Sequence, residues 1–109
     1  MDAGQAEPQV SDAGDRQRYE ITVDGELAGF AEYRRQGGRT DFLHTEVDER
    51  FEGHGYGSRL VRAALEAEQA AGRSIEPSCP FVADYIRRHA EFRDIVAPEF
   101  RSQVEEPAS

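Results

Sequence analysis

Tyr19, Ile21 and Val23 alternate with polar residues in "RYEITVD", the period-two spacing of a half-buried strand. Asp24-Gly25 follows as a two-residue turn, and "ELAGFAEYRR" resumes the strand pattern. Gln36-Gly37-Gly38 supplies the next turn, and "RTDFLHTEV" forms a third strand, which together predict an antiparallel meander. From Gly57 the period becomes helical. Leu60, Val61, Ala64, Leu65 and Ala71 share one face, while Arg59, Arg62, Glu66 and Gln69 lie mostly elsewhere, and Gly72 stops the helix. "RSIEPSC" is a short strand that a whole helix separates from the third one, so it returns parallel to it. Pro80 opens a last helix, "PFVADYIRRHAEF", with an inward stripe of Phe81, Val82, Tyr85, Ile86 and His89. The predicted fold is α+β.

The ends of the chain break these patterns. Residues 1–15 are small, polar and acidic around an isolated Val10 and predict a disordered tail; residues 97–109 predict a flexible one, with Phe100 its main apolar residue. That leaves one domain over residues 16–96, as suits a chain of 109 residues. Much of the net charge of −9 sits in the tails, which leaves about −3 on the centre. Nucleic acid is therefore not an expected partner, since no basic stripe answers its phosphates, and amine-bearing partners suit the surface better. All 13 basic residues are arginine, which excludes a lysine Schiff base and a P-loop lysine. The single cysteine, Cys79, excludes an intrachain disulfide, and no histidine pair has metal-ligand spacing, so no metal is expected. With no membrane span or secretory leader visible, a cytoplasmic monomer or weak homodimer is the expectation.

"EGHGYGSRLV", from Glu52 to Val61, places Gly53, Gly55 and Gly57 between a strand and a helix. Such a loop is either a plain turn or a phosphate cradle, because successive backbone N–H groups at a helix N-terminus attract anions. The antiparallel meander that precedes it does not fit a Rossmann half.

The stretch from Leu43 to His89 resembles the acetyl-CoA-binding core of the GNAT superfamily of N-acetyltransferases, in particular its compact single-domain branch. It carries a strand ending in "TEV", the glycine loop, an amphipathic helix closed by Ala-Gly, a short strand, and "CPF" followed by Tyr and His. The resemblance implies a splayed sheet and a loop whose amides bind pyrophosphate. Helical register places the loop motif on Glu52, Gly53, His54, Gly55, Tyr56 and Gly57, with Ser58 next; Arg50, Gly53 and Gly55 also satisfy the pattern two residues earlier, a register that leaves the helix start less well placed. Glu52 departs from the family's Gln or Arg, so it either points to solvent or weakens binding, and Arg50 or Arg59 is a candidate for the missing positive charge. The resemblance further implies that the pantetheine arm runs along Thr45, Glu46 and Val47, with a backbone N–H near Val47 facing the oxyanion.

Acetyl transfer needs a deprotonated amine, a stabilised oxyanion and a proton for the departing thiolate. His44 and Glu46 share a strand face and are candidate bases; the alternative is that they are surface residues. Cys79, at the N-cap before Pro80, is a candidate for an acetyl-cysteine intermediate or a small buried filler. Tyr85 resembles the family's general acid, although "IRRHAEF" after it is spaced differently, and core packing is its other role. His89 caps the helix or shapes the acceptor site, and His54 is a loop spacer. The expected function is acetyl-CoA-dependent acetylation of an amine: a protein lysine, an N-terminus or a polyamine. A non-catalytic acyl-CoA-binding module and a small nucleotide-binding domain are the alternatives.

Overall fold

Four antiparallel strands follow one another across the sheet in chain order, and a fifth joins them in parallel. They are β1 (Gln9–Ala13), β2 (Arg18–Val23), β3 (Glu26–Gln36), β4 (Arg39–Val47) and β5 (Ser74–Glu76), with helices α1 (Tyr56–Ala70) between β4 and β5 and α2 (Pro80–Arg88) after β5. This computed structural model describes residues 7–105. The two tight turns form as their residues dictate: Asp24 and Gly25 have φ of 56° and 82°, and Gly37 and Gly38 of 58° and 75°, the left-handed pairs that a twisted hairpin requires. Leu60, Val61, Ala64 and Leu65 of α1 are buried in one core with Tyr19, Ile21, Ala31, Tyr33 and Phe42 of the sheet.

The ends depart from the expected tails. Residues 9–13 form β1, each paired with a residue of β2, so the meander has four strands rather than three. Only Val10 there packs on the core. The rest of the docking is polar: the Tyr33 hydroxyl donates to Asp12, and Arg35 Nη2 lies 3.4 Å from the same carboxylate. Residues 1–6 and 106–109 lie outside the described part. At the other end, Pro98–Val104 is a 3-10 turn with Val104 fully buried. Arginines hold it by donating to carbonyls: Arg93 Nε to Val104 and Arg101 Nε to Val96, each at 3.1 Å. Ala97 N also donates to Ile75 O at 2.9 Å, which fastens the chain beside β5.

Both helices differ from their expected faces. Ala71 is exposed, and Glu68 takes the inward position instead, with no solvent exposure. Its carboxylate accepts from the Tyr19 hydroxyl, Arg35 Nη2 and the Thr40 hydroxyl at 2.6 Å each and from Arg73 Nε at 2.7 Å. Burial alone pushes the Glu68 carboxyl up, but the donors, Arg73 first among them, outweigh it and hold it at about 2. On α2, Val82, Tyr85 and Ile86 are buried as expected, whereas Phe81 is 43% exposed. Proline at N1 starts α2 one residue before Phe81, and helical rotation then turns Val82 inward and Phe81 out. The helix ends at Arg88, earlier than the apolar pattern suggested, and Ala90–Ile95 continues as a 3-10 turn.

Candidate active site

The parallel pairing of β4 with β5 covers three residue pairs and stops at Asp41 and Glu76. Beyond it one hydrogen bond, from Cys79 N to Phe42 O at 2.7 Å, links the two sides before they part. The last five residues of β4, Leu43 to Val47, therefore face no β5 residue across that edge. A bulge acts on the same segment. Glu32 pairs with His44 and Tyr33 with Phe42, so Leu43 is the extra, unpaired residue. The bulge exchanges the faces of the strand. Before it Thr40 and Phe42 are buried; after it His44 and Glu46 point to solvent, and Thr45 and Val47 take the core side.

This exchange brings two pairs of predicted site residues together. On the outer face His44 Nε2 lies 2.8 Å from Glu46 Oε2, with side chains 53% and 60% exposed. The His44 ring also meets the edge of Phe30, with centroids 6.4 Å apart. On the core side the Thr45 hydroxyl lies 3.4 Å from the Cys79 thiol. Cys79 is buried at the N-cap of α2, and its carbonyl accepts from Ala83 N at 3.0 Å.

The glycine loop adjoins this opening. Gly53 and Gly55 have φ of 87° and 74°, a backbone that only glycine adopts without strain, and Gly55 is the N-cap of α1. The first helical bond is from Arg59 N to Gly55 O, so the amides of Gly53 to Ser58 have no backbone acceptor among the described residues. An open groove of about 260 Å³ is lined by Val47, Phe51, Glu52, Gly53, Gly55, Tyr56, Gly57, Ser58 and Phe81. A side chain at Gly57 would be crowded: a Cβ there would lie 3.0 Å from Phe81 Cζ and 3.4 Å from Val47 Cγ2.

The remaining predicted residues are placed apart from this groove. Tyr85 is buried, accepts from Arg62 Nη1 at 3.2 Å and stacks on His89 with centroids 3.9 Å apart. His89 Nδ1 lies 2.8 Å from Tyr85 O, which makes it a helix-end residue. His54 is exposed and stacks on Tyr56, centroids 5.3 Å apart, without lining the groove. No group of three or more His, Cys, Asp or Glu that could hold a metal occurs among the described residues. Nor is any helix among them long and apolar enough to cross a membrane.

Residues 18–95 match the family model described as GCN5-related N-acetyl-transferase. The chain belongs to that family. One solved structure agrees on the fold. The solution structure of a protein described as a GCN5-like N-acetyltransferase from Staphylococcus aureus is 19% identical, with a TM-score of 0.62, and the likeness covers 82% of this chain and 87% of that one. Ard1 from Thermoplasma volcanium is 30% identical over 54% of this chain and 41% of its own, with a TM-score of 0.48. Nourseothricin acetyltransferase is 22% identical over 64% of this chain and 56% of its own, with a TM-score of 0.45. The chain thus spans about two fifths of the Ard1 chain. No curated protein sequence matches it.

Glu52, the position at which the expected register departs from Gln or Arg, lines the groove. Neither arginine considered for charge compensation lines it. Arg50 is engaged by Asp48 and Glu26, at 3.3 and 3.7 Å, and Arg59 Nη2 lies 3.8 Å from Glu7. What the groove offers an anion is therefore backbone amides and the helix dipole, with no arginine on its lining. Phe51 and Phe81 are the groove residues that sequence reasoning missed; the loop motif stops short of one, and the α2 pattern assigned the other to the core.

Proposed function

We propose that this chain is an acetyl-CoA-dependent N-acetyltransferase whose acceptor is a flexible amine: a lysine side chain, a protein N-terminus or a polyamine. The observation that carries the reading is the continuity of the free amides of Gly53 to Ser58 with the unpaired edge of β4. The amides take the pyrophosphate, with His54 and Tyr56 contributing through the main chain, and the pantetheine arm runs along Thr45 to Val47. The thioester then lies where β4 and β5 part.

Transfer proceeds directly in this reading. The amine nitrogen attacks the thioester carbonyl, a C–N bond forms, and the oxyanion accepts from the backbone N–H near Val47. The His44–Glu46 pair takes the proton that the nitrogen loses. The C–S bond breaks, and the coenzyme A thiolate takes up one proton, so charge and mass balance. Cys79 and Thr45 form the wall beside the sulfur. Their mutual contact and the burial of Cys79 support a packing role over an attacking thiolate. Tyr85, already bonded to Arg62, is proposed as a core residue rather than the proton donor. The acceptor side is open because a two-residue turn joins β2 to β3, with no helix inserted between them.

The test is coenzyme A thiol release from acetyl-CoA with a panel of lysine peptides, peptide N-termini and polyamines. Release above the hydrolysis blank is expected with at least one class, and C79A should retain it within about threefold. Abolition in C79A, with acetyl-cysteine trapped on the native protein, would instead establish the covalent route. Glu52 in the groove favours one other reading, a binding module without turnover. Tight binding with no release for any amine would establish that one.

A further inference from the structure

Phe81 is the one large aromatic side chain of α2 turned to solvent, and its place on the groove has a second side. Gly57, Val47 and Phe81 meet at one point: the position of a Gly57 Cβ is 3.0 Å from Phe81 Cζ and 3.4 Å from Val47 Cγ2. Two residues further along each element lie Thr45 on β4 and Cys79 before α2, themselves 3.4 Å apart. Val47 and Phe81 therefore form the end of the groove nearer the Thr45–Cys79 contact. This end is apolar, whereas the loop part is lined by Glu52 and the glycine-loop backbone.

We propose that Phe81 is a positioning residue that packs, opposite Val47, on the branched dimethyl portion of the pantoyl unit and so confines the arm equally in the bound ground state and the transition state. The inference rests on the acetyl-CoA reading given above. A pyrophosphate held by amides fixes one end of the cosubstrate, but a flexible arm pays rotamer entropy unless an apolar surface confines it. The dimethyl group is the arm's bulkiest apolar part, and burying it removes apolar surface of both partners from water. Gly57 belongs to the same device. It leaves room for the ring beside the helix start, where a Cβ would press against it.

The experiment compares the native protein, F81A and F81L with acetyl-CoA and with 3′-phosphoadenosine 5′-diphosphate, the nucleotide half that lacks the arm. F81A should raise the KM for acetyl-CoA about tenfold with kcat within about twofold, and F81L should restore KM to within about threefold. The affinity for the nucleotide half should be the same in all three. Because Phe81 is 43% exposed, F81A should unfold at nearly the native temperature. If F81A nevertheless fails to fold, G57A, which crowds the ring, should raise KM by a similar factor. An unchanged KM in F81A, or an equal loss for acetyl-CoA and the nucleotide half, would overturn the proposal. A native protein that binds neither compound would overturn the acetyl-CoA reading itself.

Discussion

Replacing Glu68 with alanine is expected to lower the folding free energy by about 3–5 kcal/mol, the cost of breaking a buried ion pair and leaving its partners uncompensated. Glu68 has no solvent exposure and accepts four strong hydrogen bonds from β2, β3, β4 and the residue before β5, so one carboxylate ties the sheet to α1. Against a typical total of about 5–15 kcal/mol, such a loss leaves a marginal domain. The charge state sets a pH dependence. The carboxyl sits at about 2 in the folded protein and at the ordinary glutamate value of 4.5 when unfolded. Its stabilisation is therefore fully present above pH 4.5 and is lost as pH falls toward 2, on the order of 3 kcal/mol across that window. Urea unfolding of the native protein and E68Q at several pH values checks this. The native midpoint should fall through that window while the E68Q midpoint, lower throughout, changes less. Equal slopes in the two proteins would refute it.

E46Q and H44A should each lower kcat about 100-fold at neutral pH, the lower end of what a positioned general base contributes. The two side chains are already hydrogen-bonded at 2.8 Å and exposed on the face away from the core, so E46Q touches no core packing and H44A removes only the surface edge contact with Phe30. Unfolding temperatures should stay within a few degrees of the native value. The deficit should shrink as pH approaches the acceptor's own pKa, about 10.4 for a lysine amine, because that amine then arrives without its proton. Rates measured from pH 7 to 10 with one acceptor give the comparison. A deficit that is constant over this range would assign the pair another role.

Much of this architecture was legible because it is local. The Asp24-Gly25 and Gly37-Gly38 turns, the apolar stripe of α1 and the proline at the start of α2 each act within a few residues. The glycine loop was legible for the same reason. What sequence reading missed is held by distant polar contacts. β1 contributes a single packed valine, and its Asp12 is met by Tyr33 and Arg35 of β3. The last turn contributes Val104 and relies on arginines donating to main-chain carbonyls, a contact that no hydrophobic pattern records. In the site, period-two spacing correctly put His44 and Glu46 on one face, but it could not say which face. The extra residue at Leu43 decides that, and a bulge leaves no mark on alternation when polar and apolar residues are mixed on both sides. Phe81 reads as core because it is an apolar residue beside the buried Val82; its exposure, its place on the groove and its approach to Gly57 show that the ring faces the groove.

The most direct measurement of the central claim is a titration of the ¹⁵N-labelled protein with acetyl-CoA, followed by the amide resonances. The amides of Gly53 to Ser58 should show the largest displacements and those of Thr45 to Val47 the next, with the arginine-linked turn at Pro98–Val104 unmoved. Saturating acetyl-CoA that left the glycine-loop amides in place, or displaced only residues remote from it, would contradict the account.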